Sequence, residues 1–262
     1  GHLMFKIVSV GWDCAQFVER TLQSIEDQSR SDWEVCIIID PGDNDATANV
    51  VRRWCEHRMF DLGDDRWKFV INTERKFAVR NQVEAIELLH VQDDDIIVWL
   101  DADGDQFAHP HVLDRLAQEY SGDVLLTYGS FLPVPENEGW VQAKPFPQRV
   151  VRGNSFREHI LNVECCFNHL RTMKGVVYRN IPKSHFHWSR RPDVWYDGGT
   201  DYIFMVAGME LAGERYRCID EVLCLYNNAN PNADYLKRSI ESSLCSQDYL
   251  RKHAALQPLE VS

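Results

Sequence analysis

The chain has 262 residues, with 28 Lys or Arg against 40 Asp or Glu, so its formal net charge is −12. Apolar residues make up 44% of the chain and charged residues 26%, which excludes disordered, collagen-like and coiled-coil proteins. The acidity disfavours binding to nucleic acid or to anionic membranes, and no run of about 18 apolar residues predicts membrane insertion.

The start of the chain and its cysteines indicate where the protein resides. Residues 1–4 resemble a cloning remnant that leads into a native Met, and the apolar stretch 5–10 is too short for a signal peptide. The eight cysteines show neither a CxxC pair nor the spacing of a zinc site. We therefore expect reduced thiols in the cytoplasm of the producing or host cell.

The first half of the chain alternates between strand and helix patterns. Apolar runs predict four strands, at residues 7–10, 35–39, 68–71 and 96–100. Residues at helical spacing predict three intervening helices, marked by Val18, Leu22 and Ile25, by Val51, Trp54 and Arg58, and by Val79, Val83 and Ile86. Asp13 and Gln16 match a capping box before the first helix. This alternation is typical of an α/β fold with a mostly parallel sheet buried on both faces.

The second half of the chain is less regular. Residues 124–127 and 219–226 predict strands, whereas residues 131–160 are rich in Pro, Gly and charge and predict long loops. The apolar stretch 202–212 predicts a buried helix that ends at a Gly213 C-cap. Leu236, Ile240 and Leu244 predict a final helix after a turn at residues 227–232. No interdomain linker is recognisable, so we expect a single compact domain.

Candidate ligand-binding residues follow the predicted strands, because open α/β sheets bind ligands at the carboxyl ends of their strands. Ser9 and Gly11 lie at the end of the first strand, and Asp40 follows the second. Asp101, Asp103 and Asp105 follow the fourth. Three neighbouring carboxylates repel one another, and Mg²⁺ or Mn²⁺ would relieve that repulsion. The alternative is a short acidic turn, which Asp-Gly sequences often form.

Four other residues have both a functional and a structural interpretation. Asp201 opens the apolar helix after Gly198-Gly199-Thr200, and is a general base, an N-cap, or both. Arg80, at the start of a predicted helix, is either a ligand contact or part of a solvated face. His185 and His187 either ligate metal or phosphate from one side of a strand, or belong to an aromatic loop.

These motifs, taken in order, resemble those of family 2 glycosyltransferases of the GT-A fold. The first helix carries Thr21-Leu22-Gln23-Ser24-Ile25, and the second strand ends in Asp40-Pro41-Gly42-Asp43-Asn44-Asp45-Ala46-Thr47. Ala78-Val79-Arg80-Asn81, Leu100-Asp101-Ala102-Asp103 and Gly199-Thr200-Asp201-Tyr202 are similar to later elements of the family. Segments at 126–130, 169–174, 209–213 and 222–231 resemble a viral and bacterial branch. The resemblance covers roughly residues 5–235.

The resemblance implies a mostly parallel, Rossmann-like central sheet flanked by helices, with a loop-rich C-terminal acceptor region. Residues 5–120 would form the half that binds the nucleotide sugar, and residues 121–262 the half that binds the acceptor and carries the base. The implied activity is inverting, metal-dependent transfer of a sugar from a nucleotide diphosphate, most simply a UDP-sugar. The acceptor would be a hydroxyl on a glycan, a protein or a modified nucleobase, and the net charge disfavours nucleic acid.

The resemblance also implies a role for each matched residue. Ser9, Gly11, Asp40, Arg80 and Asp101 would bind the nucleotide sugar, and Asp103, with Asp101 and Asp105, would ligate Mn²⁺ or Mg²⁺. Asp201 would be the catalytic base. Two other functions stay open. A nucleotidyltransferase also uses paired carboxylates and Mg²⁺ but needs a basic phosphate loop, and a non-catalytic nucleotide-sugar-binding module would have no need of Asp201.

Overall fold

The computed structural model describes residues 3–136 and 139–260. Gly1 and His2 of the expected cloning remnant lie outside the described residues, as do residues 137–138 of the predicted loop region and residues 261–262 of the predicted C-terminal half. An eight-stranded sheet in the order β3-β2-β1-β4-β7-β6-β10-β5 forms the centre of the molecule. Its strands are β1 (Phe5–Trp12), β2 (Trp33–Asp40), β3 (Trp67–Ile71), β4 (Ile96–Trp99), β5 (Gln106–Phe107), β6 (Leu126–Val134), β7 (Arg171–Lys174) and β10 (Tyr216–Asn227).

Helices cover the sheet, and a small hairpin of β8 (His187–Trp188) and β9 (Arg191–Trp195) lies outside it. The helices are α1 (Val18–Glu26), α2 (Ala46–Glu56), α3 (Phe77–Leu88), α4 (Val112–Glu119), α5 (Gln148–Gly153), α6 (Phe156–Asn162), α7 (Gly175–Arg179), α8 (Thr200–Ala212), α9 (Asp234–Lys237) and α10 (Ser239–Lys252). Among the residues described, no helix combines the length and the apolar character that crossing a membrane requires.

The sheet is parallel where the sequence predicts it to be. Strand β1 lies between β2 and β4 and is parallel to both, and β2 is parallel to β3. The direction changes at β7, which pairs antiparallel with β4 and with β6. The two-residue β5 pairs antiparallel with β10 and forms the edge of the sheet that lies opposite β3. The predicted mostly parallel α/β sheet flanked by helices is therefore confirmed.

Side chains that alternate between the two faces of the strands form a hydrophobic core on each face of the sheet. Val8 and Ile38 pack with Val83 of α3 in one buried cluster. Their neighbours Ile7 and Ile37 point the other way and pack with Leu22 of α1 in a second cluster. Because successive side chains of a strand face opposite sides, the continuous apolar runs of β1 and β2 supply both clusters.

The structure corrects two predictions about local structure. Helix α1 begins at Val18 after an N-cap at Phe17 with no side-chain cap, so the predicted capping box of Asp13 and Gln16 is wrong. Residues 131–160 are not only loops, because β6 extends to Val134 and α5 and α6 follow. Short segments of this kind have too few residues to show a period in the sequence.

The two C-terminal predictions have opposite outcomes. The Gly213 C-cap is confirmed, since Gly213 has φ +57° and its N–H donates to the Met209 carbonyl. The predicted final helix is interrupted at Arg238, so that Leu236 lies in α9 whereas Ile240 and Leu244 lie in α10, and all three side chains are exposed. Helix α10 packs instead through a different set of side chains: Cys245, Ser246, Tyr249 and Leu250.

Gly175, the first residue of α7, is a point of close backbone approach. A Cβ at this position would lie 2.0 Å from the Gln92 carbonyl oxygen and 2.8 Å from a Val91 methyl group. We expect Gly175→Ala to reduce the free energy of unfolding by about 1–3 kcal/mol, the usual cost of overpacking. Urea denaturation followed by circular dichroism measures this. Gly122→Ala is the matched control, because nothing lies within 4 Å of its Cβ position; equal stability of the two variants would contradict the prediction.

Candidate active site

A cavity of about 380 Å³ opens at the carboxyl ends of β1, β2 and β4. The end of β1 contributes Gly11 and Trp12, the end of β2 contributes Asp40, and the segment after β4 contributes Asp101 and Asp103. The N-terminal turns of α3 and α8 and the segment 226–242 complete the wall, with residues that include Asn81, Asp201, Asn230 and Tyr235. The cavity has the size of an ordinary small-molecule site.

Asp40 fixes the start of α3 against the sheet. Its carboxylate accepts hydrogen bonds from the side-chain amide of Asn72 (3.0 Å) and from the backbone amides of Lys76 (3.1 Å) and Phe77 (2.9 Å). Asn72 also donates to Asn81, which lines the cavity (2.9 Å). Because an ionised carboxylate has about four acceptor positions, Asp40 retains one for a ligand.

The three aspartates after β4 form one cluster. Asp101, Asp103 and Asp105 each offer a carboxylate oxygen, and these atoms all lie within 4.8 Å of one another. Burial raises the pKa of each of the three carboxyls. For Asp103, burial and the neighbouring Asp101 carboxylate raise the pKa to about 7. The cluster therefore holds negative charge at a high energetic cost.

Asparagines of the segment after β10 hold the aspartate loop in place. Asn227 donates its backbone N–H to Asp105 (2.9 Å) and its side-chain amide to the Asp103 carbonyl (2.8 Å). Asn230 donates its side-chain amide to the Asp103 carboxylate (3.3 Å). A Cβ at Gly104, where φ is +102°, would lie 2.6 Å from the Asn227 amide nitrogen. Glycine at 104 therefore permits this close packing.

The cluster fits a divalent cation. The Oδ1 atom of Asp103 is buried and has no hydrogen-bond partner among residues 3–136 and 139–260, which is unusual for a buried polar atom. An all-oxygen set of carboxylates is the ligand type that Mg²⁺ and Mn²⁺ prefer. A bound cation would satisfy the unpaired oxygen and compensate the repulsion among the three carboxylates.

Asp201 stands on another wall of the cavity and pairs with a buried arginine. It lies in the first turn of α8, whose N-cap is Gly199, a residue with φ +71°. The structural alternative, an N-cap at Asp201, is therefore wrong. The Asp201 carboxylate contacts the guanidinium of Arg171, and 48% of its side-chain surface is exposed. It is thus accessible to a molecule in the cavity.

Arg171 extends this contact to a histidine. Its Nη2 donates to Nδ1 of His169 (3.1 Å), and its own Nε is buried without a partner. Burial and the Arg171 charge lower the pKa of His169 well below its usual value, so the imidazole is neutral and Nδ1 accepts. Asp201, Arg171 and His169 therefore form one polar row beside the aspartate cluster.

Several predicted residues do not reach the cavity. Arg80 donates to Glu84 (3.2 Å) and is not part of the cavity wall. Ser9 is buried within β1 and its hydroxyl does not line the wall. Asp105 belongs to the cluster but lies behind the wall.

The paired histidines lie elsewhere in the fold. His185 is buried in a short 3₁₀ turn, where its Nδ1 contacts the Tyr249 hydroxyl (2.9 Å), and His187 contacts the Lys183 carbonyl (3.1 Å). Burial lowers the pKa of His185 to about 4. The strand that would place both on one side is therefore wrong, and neither lines the cavity.

Sequence reasoning missed a cationic residue that lines the cavity, Arg75, and a second arginine near it, Arg238. The Arg75 guanidinium lies 3.8 Å from the Trp12 ring centroid and 4.4 Å from that of Phe77, and its Nε is buried without a partner. Arg238 lies over the same Phe77 ring at 4.2 Å and pairs with Asp197 at 3.0 Å. No spacing in the sequence could reveal Arg75, because it lies in an irregular turn between β3 and α3.

A family comparison accounts for most of these features. A profile of the family described as Glycosyl transferase family 2 matches residues 8–176. No curated protein sequence matches the chain significantly.

Three solved structures illustrate the similarity in architecture. The first is Staphylococcus aureus TarS 1-349 in complex with UDP-GlcNAc, with a TM-score of 0.60 and 10% sequence identity over 96% of this chain and 68% of that one. The second is the Pyrobaculum calidifontis mannosyltransferase PcManGT with GDP-Man and Mn²⁺, with a TM-score of 0.58 and 18% identity over 98% of this chain and 66% of that one. The third is Mycobacterium tuberculosis glucosyl-3-phosphoglycerate synthase with Mn²⁺, UDP and phosphoglyceric acid, with a TM-score of 0.55 and 12% identity over 96% of this chain and 80% of that one. At these identities the likeness establishes the fold, which is the predicted GT-A fold.

Proposed function

Because the chain belongs to glycosyl transferase family 2, we propose that it moves a sugar from a nucleoside diphosphate to an acceptor hydroxyl, with inversion at the anomeric carbon. The observation that carries this proposal is the pairing of two features in one cavity. A carboxylate cluster with an unpaired buried oxygen lies on one wall, and an accessible carboxylate, Asp201, lies on another. This is the arrangement that a departing diphosphate and an attacking hydroxyl require.

The donor would bind along the ends of β1 and β2. Asp40 has an acceptor position for a base N–H, and the backbone at Gly11 and Trp12 borders the same space. Arg75 offers an unused buried donor, which suits a carbonyl of the base or a phosphate oxygen. The structures of TarS and of glucosyl-3-phosphoglycerate synthase contain UDP or a UDP-sugar, so we favour a uridine-linked donor.

Asp103, Asp101 and Asp105 would hold Mn²⁺ or Mg²⁺. When bound, such a cation neutralises the charge that develops on a departing diphosphate. Asp103 is the central ligand because its Oδ1 is unpaired. Asn230 and Asn227 keep this aspartate in place through its carboxylate and its carbonyl. Asp101 would in addition orient the donor ribose.

Asp201 would accept the proton of the acceptor hydroxyl as it attacks the anomeric carbon from the face opposite the diphosphate. Arg171 holds one of its oxygens and is itself fixed by His169, so the other oxygen is free for the acceptor. The acceptor would enter past the N-terminus of α8, from the half formed by residues 121–262. The net charge of −12 favours a glycan or a protein over a modified base in nucleic acid.

Metal-dependent donor binding tests this proposal. We expect calorimetry to detect UDP binding in the presence of Mn²⁺. Asp103→Asn should abolish the increase in UDP affinity that Mn²⁺ produces. The melting temperature of the metal-loaded protein should also rise, since saturation at 100 times Kd adds about 2.7 kcal/mol. Asp123→Asn, at an exposed residue, should leave both results unchanged.

A panel of UDP-glucose, UDP-GlcNAc and GDP-mannose, with candidate acceptors and mass spectrometry, would then identify the donor. Absence of binding to any nucleotide with either metal would overturn the proposal.

The two other functions make different predictions in the same experiments. A nucleotidyltransferase would release pyrophosphate, but the residues that end β1, from Gly11 to Asp13, include no basic side chain. A binding module would hold the donor and never release UDP. Release of UDP from a UDP-sugar, with no pyrophosphate, is the result that we expect.

A further inference from the structure

A second group of metal-ligating side chains lies outside the cavity wall, at the end of α6. His159 belongs to this helix, and Glu164 and Cys166 follow it. The backbone amides of Val163 and Glu164 both donate to the His159 carbonyl, at 2.8 and 3.0 Å. The chain therefore folds back over the end of α6 and brings the carboxylate and the thiol beside the imidazole.

The geometry of this group matches a tetrahedral ion. Nε2 of His159 and Sγ of Cys166 are 3.8 Å apart, and one donor atom from each of the three residues lies within 4.8 Å of the other two. Two ligands of a tetrahedral zinc ion, with bonds of about 2.3 Å to sulfur and 2.0 Å to nitrogen, are separated by about 3.6 Å. The imidazole and the thiol are thus almost at ligand separation without any movement of the backbone.

The chemistry of the group differs from that of the aspartate cluster. A thiolate, an imidazole and a carboxylate form a borderline-soft set that suits Zn²⁺, whereas three carboxylates suit Mg²⁺ or Mn²⁺. Cys166 and His159 are buried, at 2% and 6% exposure, and Glu164 is an exposed side chain held by one ion pair to Lys144 (3.0 Å). Glu164 is therefore free to rotate onto an ion.

We propose that His159, Glu164 and Cys166 form a zinc site, with water as the fourth ligand. Binding replaces the thiol proton of Cys166, which is released to solvent. In the metal-free protein this thiol instead contacts the imidazole of His159.

The site would stabilise the segment that leads to the active site. The carbonyl of Cys166 accepts the Lys144 amide (3.2 Å), and the next residue, Phe167, packs on Tyr202 with 5.8 Å between ring centroids. Tyr202 follows Asp201, and His169 lies on the cavity wall. Zinc would thus fix the chain between α6 and β7, one side of the cavity.

Titration with Co²⁺ tests the proposal without any donor or acceptor. A chelator first removes bound metal from the full chain, and a reductant keeps its thiols reduced. Co²⁺ is then added in the presence of excess Mg²⁺, which occupies the all-oxygen cluster. We expect a thiolate-to-cobalt charge-transfer band in the near ultraviolet that saturates at one Co²⁺ per chain and disappears when Zn²⁺ is added. No band at large excess of Co²⁺ would overturn the proposal.

Variants separate this site from the other thiols and from the aspartates. Cys166→Ser should abolish the band, whereas Cys165→Ser and Asp103→Asn should retain it. Glu164→Gln, at an exposed position, should weaken Co²⁺ affinity by at least about tenfold, because loss of even an outer-shell partner typically costs that much, and Glu158→Gln on the exposed side of α6 should not. A band that persists in Cys166→Ser, or an unchanged affinity in Glu164→Gln, contradicts the assignment. Because the readout is spectroscopic, its outcome is independent of the glycosyltransferase proposal.

Discussion

Replacing Asp201 by Asn is expected to lower turnover by at least about 100-fold, because general-base catalysis contributes about 10²–10⁴-fold. The amide keeps the size of the carboxylate but cannot accept the acceptor proton. Donor binding should be unchanged, since Asp201 is not a member of the aspartate cluster. The two effects are separated by measuring UDP release from a UDP-sugar at saturation and donor affinity by calorimetry.

Asp193 provides the control for this variant. It is exposed on β9 and lies outside the cavity wall, so Asp193→Asn should retain full turnover. If Asp201→Asn turns over at a near-normal rate, Asp201 is not the base. If it loses donor affinity as well, its role is in binding rather than in proton transfer.

Replacing Glu210 by Ala is expected to cost about 3–5 kcal/mol of unfolding free energy, the typical effect of removing one partner from a buried ion pair. Glu210 is 0% exposed, and both of its oxygens accept from Arg157 of α6, at 3.0 and 3.1 Å. Arg157 also donates to the carbonyls of Tyr249 (3.1 Å) and Ala254 (3.2 Å). The Arg157 guanidinium ties α6, α8 and the C-terminal segment together. Removing the Glu210 carboxylate breaks the link to α8 and leaves the guanidinium buried without its counter-ion.

Urea denaturation measures the loss of unfolding free energy in Glu210→Ala, and two further variants serve as comparisons. Glu210→Gln keeps an acceptor for Arg157 and should lose less than Glu210→Ala. Glu241→Ala, at an exposed position of α10, should change stability by no more than about 0.5 kcal/mol. A loss below about 1 kcal/mol in Glu210→Ala would show that water or another side chain compensates the guanidinium.

The sheet and much of the carboxylate site could be predicted from the sequence, because both are local properties. A buried parallel strand is a short apolar run, and the residue after the run is at the ligand-binding edge. This places Asp40, Asp101 and Asp103 on the cavity without any knowledge of distant contacts. Asp201 is recognisable in the same way, as the carboxylate that follows a glycine turn at the start of an apolar helix.

The rest of the site depends on contacts between distant parts of the chain. Asn230 reaches Asp103 across 127 positions, and Arg171 meets Asp201 only because β7 runs antiparallel beside β4. Neither contact leaves a periodic signal. Arg80 shows the reverse situation, because it matches a family motif yet pairs with Glu84 on α3 and is not among the residues that line the cavity. Leu236, Ile240 and Leu244 show that a helical pattern predicts helical structure but neither its interruption at Arg238 nor the face that it buries.

The shared sheet has a consequence for protein engineering. Strand β4, which precedes the aspartates, has β1 on one side and β7 on the other, so a polypeptide that stops near residue 120 would leave the apolar residues Ile96–Trp99 at an open edge. Such edges promote aggregation. Chimeras that exchange the first 120 residues between relatives would therefore have to preserve the pairing of β4 with β7, so grafting of loops suits this sheet better than exchange of whole halves.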